Sequence, residues 1–189
     1  DDPGRHAVFP DAERRDAEFY PRFQRGYTVF HHCDQRIDIV AAQVGAGHWI
    51  AYAIRTLSDD KIVGTTSFLN IKPERQCVEI GATFLHPTVR ATAVNPEAKL
   101  LMLRQAFLSG VRRVELLTDV RNLRSQAAIA KLGAMREGVL RRDRITWTGH
   151  IRDSVLFSIT DFDWPAVAAN LEARLASYAA AQAVLDRQA

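Results

Sequence analysis

Between residues 49 and 160 the hydrophobic pattern switches from three consecutive β-type runs to an alternation of strand and helix, which few topologies accommodate. Trp49 to Thr56 and Lys61 to Phe68 are rich in β-branched and aromatic residues, and Leu57-Ser58-Asp59-Asp60 between them suits a hairpin turn. Gln76 to Leu85 follows a turn containing Pro73, and three antiparallel strands are the economical reading. A helix comes next. Asn95 is expected as its N-cap, with Pro96 at the first helical position and Glu97 in the first turn. Leu100, Leu103 and Phe107, with Leu101 and Leu108 beside them, form its apolar stripe, and Gly110 ends it. The strand Arg113 to Thr118 then re-enters the sheet. Antiparallel neighbours need only a turn, whereas a strand that returns through a helix lies parallel to its predecessor or splays from it. The pattern predicts an α+β fold, with helices entering after the first sheet strands and a parallel or splayed pair of strands in the middle.

The rest of the chain completes this plan. Asn122-Leu123-Arg124-Ser125 opens a second helix with Ala128, Ile129 and Leu132 on its inner face and Gly133 past its end. Met135 to Trp147 and His150 to Thr160 meet at Thr148-Gly149 as a long hairpin. From Asp163, a candidate N-cap, the tail reads as helix to Arg187, with Pro165 near its start and Val167, Leu171, Leu175 and Tyr178 on one stripe. Its Ala-rich end, Ala179 to Ala183, can pack on its own domain or on a second copy, which makes a homodimer an expectation. Residues 1–48 are the least periodic, with helical candidates at Asp11 to Arg25 and Asp34 to Val44, the latter capped by Asp34 and ended by Gly45 and Gly47. The chain has 189 residues, enough for one well-packed domain. The expected division is a helical region over 1–48, a core over 49–165 and a C-terminal helix over 166–189.

Composition excludes several function classes. Lys and Arg number 25 against 22 Asp and Glu, and the net charge of +3 is too mild to imply nucleic acid. The one tight basic cluster, Arg141, Arg142 and Arg144, is interrupted by Asp143. No run approaches the roughly 18 apolar residues that a membrane-spanning helix requires, and Asp1 to Asp16 is polar, so a cytoplasmic protein without a membrane partner is expected. Cys33 and Cys77 make no disulfide framework and are expected to be reduced. His31, His32, Cys33 and Asp34 are metal-ligand types in adjacent positions, but the usual ligand spacing of two to four residues is lacking, so no metal site is expected.

Two junctions carry chemistry. A strand that leads through a loop into a helix N-terminus gathers unsatisfied N–H groups at the positive end of the helix dipole, the ingredients of a phosphate site. Residues 85–97 have that layout, though the loop lacks the glycines of a P-loop. Asn122 to Ser125 admits two readings, a capping arrangement or a ligand contact. His86, before Pro87, either packs beside a ligand or relays a proton. Trp49, Trp147 and Trp164 read as packing residues.

Taken in order, Glu79-Ile80-Gly81-Ala82-Thr83, the loop Arg90 to Lys99, Asn122-Leu123-Arg124-Ser125, Lys131-Leu132-Gly133-Ala134 with Glu137-Gly138, and Arg152-Asp153-Ser154 resemble the GNAT superfamily of N-acetyltransferases, in particular its RimJ/RimL-like branch. The resemblance runs from about residue 49 to about 165. It implies the GNAT fold, a central, mixed but mostly antiparallel twisted sheet flanked by helices with splayed strands holding the arm of acetyl-CoA, and direct transfer of the acetyl group to a primary amine in a ternary complex. By position, it implies that the backbone at Phe84 and Leu85 pairs with the pantetheine arm. The family's pyrophosphate loop falls on Arg90, Ala91, Thr92, Ala93, Val94 and Asn95, with Ala93 and Asn95 standing where glycine, or glycine or alanine, is usual. Asn122 matches a cofactor-contacting Asn, and Ser125 a hydroxyl near the CoA sulfur. Glu79 matches a general base of some members. Asp143 is a second catalytic candidate, beside the place where one branch member has a Glu base and this chain has Arg144. The competing reading is a non-catalytic module of the same fold that binds CoA or a protein partner; it rests on the glycine-poor loop and that missing carboxylate.

Overall fold

The computed structural model describes residues 23–24, 49–56, 61–146 and 148–187. Seven strands form one sheet: β1 (Phe23–Gln24), β2 (Trp49–Arg55), β3 (Ile62–Lys72), β4 (Cys77–Leu85), β5 (Arg113–Asp119), β6 (Met135–Ile145) and β7 (Ile151–Thr160). Their spatial order is β1-β2-β3-β4-β5-β7-β6, and every neighbouring pair is antiparallel except β4 with β5. Among the described residues three α-helices accompany them, α1 (Val94–Leu108), α2 (Leu123–Ala130) and α3 (Trp164–Asp186). The helix between β4 and β5 is what makes that one pair parallel, as the change of periodicity requires.

One face of the sheet carries the apolar core. Val78 and Ile80 of β4, Val114 and Leu116 of β5, and Val155, Phe157 and Ile159 of β7 pack against Leu103 and Ala106 of α1, Ile129 of α2, and Val167 and Leu171 of α3. Strand side chains alternate between faces, so Glu79, Gly81, Glu115 and Ser158 turn to the opposite side. A smaller cluster of Ile54, Val63 and Ala98, with Leu85, Val89 and Val94 against it, ties the start of α1 to the β2–β3 hairpin. Trp164 stacks on Phe107 with ring centroids 5.2 Å apart, in keeping with a packing role. Trp49 is half-buried in β2, and Trp147 lies outside the described residues.

Several expected boundaries move. α1 begins at Val94, with Ala93 at its N-cap and no side-chain cap, so Asn95 is inside the first turn. The Ala93 carbonyl accepts from Glu97 N–H, and Pro96 falls where a helix has no use for an N–H. β3 continues to Lys72, four residues past the expected Phe68, because β4 keeps supplying backbone partners as far as Lys72↔Cys77. Phe23 and Gln24, expected at the end of a helix, instead pair with Ile54 and Ala53 on the open edge of β2, where a ready set of backbone partners overrides local periodicity. The remainder of both N-terminal helix expectations lies outside the described residues, as do His31, His32, Cys33 and Asp34. Cys77 is a buried free thiol. The C-terminal helix begins at Trp164, directly after the expected cap position Asp163, whose carboxylate turns back to accept from Thr160 N–H at 2.9 Å and Thr160 Oγ1 at 2.7 Å.

Gly64 marks a close approach on which the sheet depends. A Cβ there would lie 2.4 Å from the Phe84 carbonyl oxygen and 2.8 Å from a Leu85 methyl. Gly64→Ala is therefore expected to lower the free energy of unfolding by about 1–3 kcal/mol, read by urea denaturation. Gly138→Ala is the control, since a Cβ there meets nothing within 4 Å; its change should stay within about 0.5 kcal/mol.

Candidate active site

The two parallel strands stay together for three register pairs, Cys77↔Arg113, Val78↔Val114 and Glu79↔Glu115, and then diverge. Beyond Glu79, no strand among the described residues pairs with β4 on its β5 side. A bulge accompanies the divergence: Ala82 and Thr83 lie between the pairs Ser67↔Gly81 and Thr65↔Phe84, where β3 has only Thr66. Ala82 takes a φ of 46° there, in the left-handed region. The result is a V-shaped opening at the carboxyl ends of two parallel strands, where α/β sheets characteristically receive ligands.

Each arm of the V runs into a helix N-terminus. After Leu85 the chain makes one short turn of 3₁₀ helix, Pro87–Val89, begun by His86, whose Nδ1 lies 2.7 Å from Thr88 Oγ1 and accepts from Thr88 N–H at 3.4 Å. Arg90 is exposed, and its Nε donates to the Leu85 carbonyl at 3.3 Å. Thr92 Oγ1 donates to the Val89 carbonyl at 2.7 Å and accepts from Val94 N–H at 3.3 Å. The N–H groups of Ala91, Thr92, Ala93 and Asn95 have no partner among the described residues. Unpaired amides at the start of a fifteen-residue helix, at the positive end of its dipole, have the chemistry to receive an anion.

The other arm ends at α2. Asn122 caps it, its Oδ1 accepting from Ser125 N–H at 3.0 Å, so the capping reading of Asn122 holds. The Ser125 hydroxyl has no partner among the described residues. Gln126 fastens the helix to the end of β5 through the carbonyls of Asp119 and Val120, at 3.4 and 2.8 Å.

At the root of the V, on the sheet face turned away from the helices, sits a cluster of charges. Glu79 is 3% exposed, accepts from Asn70 Nδ2 at 2.6 Å, and has Arg144 3.8 Å from Oε2. Burial pushes its pKa up, against the pull of Arg144, Asn70 and Arg152. Asp143 is held differently. Burial also acts to raise its pKa, but hydrogen bonds from Ser154 Oγ and Arg144 Nε, both 2.6 Å, and the Arg152 guanidinium at 3.7 Å bring it below the ordinary value. Two nearby carboxylates thus have opposite tendencies: Glu79 gains proton affinity and Asp143 remains an ion. Arg152 donates through Nε to Ser154 Oγ, while its NH2 is buried without a hydrogen-bond partner.

The structure therefore brings Glu79 and Asp143 into one cluster, and puts Phe84, Leu85 and the Arg90–Asn95 loop along one arm of the V. Asn122 and Ser125 stand at the tip of the other arm, with no hydrogen bond or ion pair to either carboxylate. Two groups were not anticipated from sequence. Asn70, held at a φ of 48° at an irregularity of β3, supplies the hydrogen bond to Glu79. Lys99 is buried in α1, and its sequence signal was its place on the apolar stripe, three residues after Pro96 and four before Leu103.

A family model described as an acetyltransferase (GNAT) domain matches residues 5–135. The chain belongs to the GNAT acetyltransferase family. A crystal structure of a protein assigned as an acetyltransferase is 36% identical, with 89% of each chain covered and a TM-score of 0.69. A second, from T. thermophilus, is 34% identical over 88% of this chain and 89% of the other, also with a TM-score of 0.69. Mycobacterium smegmatis RimJ in complex with CoA-disulfide shares the fold at 20% identity and a TM-score of 0.63, over 87% of this chain and 85% of that one. None of the curated proteins matches the sequence. The GNAT fold, with its mixed sheet and flanking helices, is thus the one expected, and family membership supports acetyl transfer. Among the described residues no helix is long and apolar enough to cross a membrane.

The opposed carboxylates make a measurable prediction. Folding favours protonated Glu79, so its contribution to stability is complete below the ordinary carboxylate value of 4.5 and is lost as pH rises through the raised pKa. Glu79→Gln should match wild type near pH 4 and exceed it in stability at pH 8, by chemical denaturation at the two pH values. Equal stability at pH 8 would contradict the raised pKa.

Proposed function

We propose that this GNAT domain is an acetyl-CoA-dependent N-acetyltransferase of the RimJ/RimL-like branch, transferring an acetyl group directly to the primary amine of a protein N-terminus or a small molecule. The observation that carries the reading is the V between β4 and β5, with unpaired amides at the mouth of one arm and a buried, proton-avid carboxylate at its root. The donor's diphosphate suits the amides of Ala91, Thr92, Ala93 and Asn95, beside Arg90. β5 no longer pairs with β4 beyond Glu79, and this side of the strand, running on to Phe84 and Leu85, suits an amide-bearing arm such as pantetheine.

The glycine-poor loop is no obstacle to this assignment. Ala93 stands where the family usually has glycine, but its φ of −64° and ψ of −20° are ordinary helical values that cost alanine nothing. The left-handed position of the loop is Ala91, with φ 62°. This removes one of the two grounds for a non-catalytic module.

The proposed chemistry needs no covalent enzyme intermediate. The amine nitrogen attacks the thioester carbonyl carbon and passes its proton to the Glu79 carboxylate, whose raised pKa makes it a stronger base than an ordinary carboxylate. The tetrahedral intermediate collapses, the carbon–sulfur bond breaks, and the departing thiolate accepts a hydrogen bond from the Ser125 hydroxyl while taking its proton from solvent, to which Glu79 in turn releases the proton it received. Asp143 acts through others: as a persistent anion it holds Arg144 and Arg152 in place around Glu79.

Calorimetric titration with acetyl-CoA, followed by CoA release with a panel of amines, tests the proposal. No binding at millimolar acetyl-CoA would end the donor assignment, and binding without release to any amine would favour the non-catalytic module. Glu79→Gln should reduce kcat by about 100-fold or more while the variant stays folded. Ser125→Ala should slow turnover with acetyl-CoA affinity nearly intact; unchanged kinetics would remove Ser125 from the mechanism.

A further inference from the structure

Lys99 is an amine buried away from any carboxylate partner among the described residues. It lies in the second turn of α1, 5% exposed, and forms no ion pair among the described residues. Its Nζ instead donates to Thr66 Oγ1 at 3.0 Å and Thr83 Oγ1 at 2.6 Å, and the two hydroxyls are 2.9 Å apart. One ammonium thus joins α1, β3 and β4. Burial alone pushes its pKa down to about 7, a measure of what the fold sacrifices to keep an amine at a position where leucine or methionine would pack without loss. The charged groups on neighbouring elements are engaged elsewhere: Glu79 of β4 is bonded to Asn70 on the other face, and Glu97 of α1 has its own interaction.

The place of this triangle gives it a use. Thr66 is the β3 residue opposite the bulge, and Thr83 is one of the two β4 residues that form it. The other, Ala82, holds a left-handed φ of 46° that a non-glycine residue adopts only where its surroundings enforce it. Thr83 Oγ1 also lies 3.4 Å from the Gly81 carbonyl, so the lysine reaches both ends of the bulge through one side chain. The bulge lies just past Glu79, the last β4 residue paired with β5, on the stretch of β4 that β5 no longer covers. The helix that follows the unpaired amides of Ala91, Thr92 and Ala93, and carries that of Asn95, therefore also grips the strand edge beside them.

We propose that Lys99 is a positioning residue for the acyl donor: through Thr83 and Thr66 it holds the bulge of β4 in the shape that receives the thioester end, in register with the anion site at the start of α1. The proposal rests on the acetyl-CoA reading above. It requires that Lys99 and Thr83 act as one device, separable from the amine site and from global stability.

A double-mutant cycle with Lys99→Met and Thr83→Val tests it, measuring acetyl-CoA affinity by calorimetry, KM for donor and amine separately, and the melting temperature. Each single variant should weaken acetyl-CoA binding about tenfold and leave the amine KM within twofold. The double variant should be no worse than either single one, since both cut the same link. Lys99→Met should melt no lower than wild type, which a merely structural lysine would not allow. Thr66→Val supplies a conservative third arm should Lys99→Met fail to fold. If wild type binds acetyl-CoA and the variants bind it within twofold of wild type, or if the two losses simply add, the positioning role is overturned. Failure of wild type to bind acetyl-CoA would instead overturn the donor assignment itself.

Discussion

The early end of pairing between β4 and β5 is the constraint on which the site depends. Three register pairs hold the strands together, and beyond Glu79 and Glu115 they part. A strand edge inside a sheet leaves backbone donors and acceptors that the fold does not satisfy, so opening one is costly unless something else completes it. The divergence is stabilised from both sides. β4 is held to β3 by the close approach at Gly64 and by the Lys99 triangle, and β5 is held to β7 along seven register pairs from Arg113 to Asp119. With each arm anchored to its outer neighbour, the V stays open without relying on a ligand to keep it so.

The helices exploit the same opening. Parallel strands both end at one edge of the sheet, so the loops after β4 and β5 each deliver a helix N-terminus to the mouth of the V. A central strand pair run antiparallel would have sent one helix dipole to the opposite edge. The parallel pair is thus what allows a fold otherwise built of hairpins to gather two positive helix ends beside one gap. Opposite the helix layer, the charge cluster around Glu79 works by contrast of environment. Asn70 and a distant Arg144 leave Glu79 dominated by burial, while close hydrogen bonds from Arg144 and Ser154 hold Asp143 as an anion.

Elements that depend on local chemistry were legible in the sequence. The strand periodicity, the Asn122 cap, Gly133 past the end of α2 at a φ of 94° and the long β6–β7 hairpin all follow from a few neighbouring residues. So did the parallel pair, since the helix between its strands leaves no short return. What was not legible depends on contacts made at long sequence distance. Asn95 has the chemistry of an N-cap, yet the helix starts one residue before it, because Val94 packs with Leu85 and Val89 against Ile54, Val63 and Ala98 and draws the first turn back. Asn70 and Glu79 are nine residues apart and meet only because β3 and β4 pair with an irregularity between Leu69 and Lys72.

Lys99 and Ala93 bracket what the family pattern can and cannot predict. A motif records residue types, and glycine in a phosphate loop is taken to mean a backbone shape that other residues resist. Here the residue in the glycine position is already helical, and the left-handed residue is two positions earlier, at Ala91. The row of free amides persists despite the departure in letters, so the backbone donors of the loop do not depend on glycine at that position. Lys99 is the converse: a common helix residue whose letter predicts an exposed side chain, placed where it must be buried. A lysine on an apolar stripe costs desolvation wherever it lies, and only the bulge in β4, with the β3 residue that faces it, supplies the two hydroxyls that make the burial tolerable.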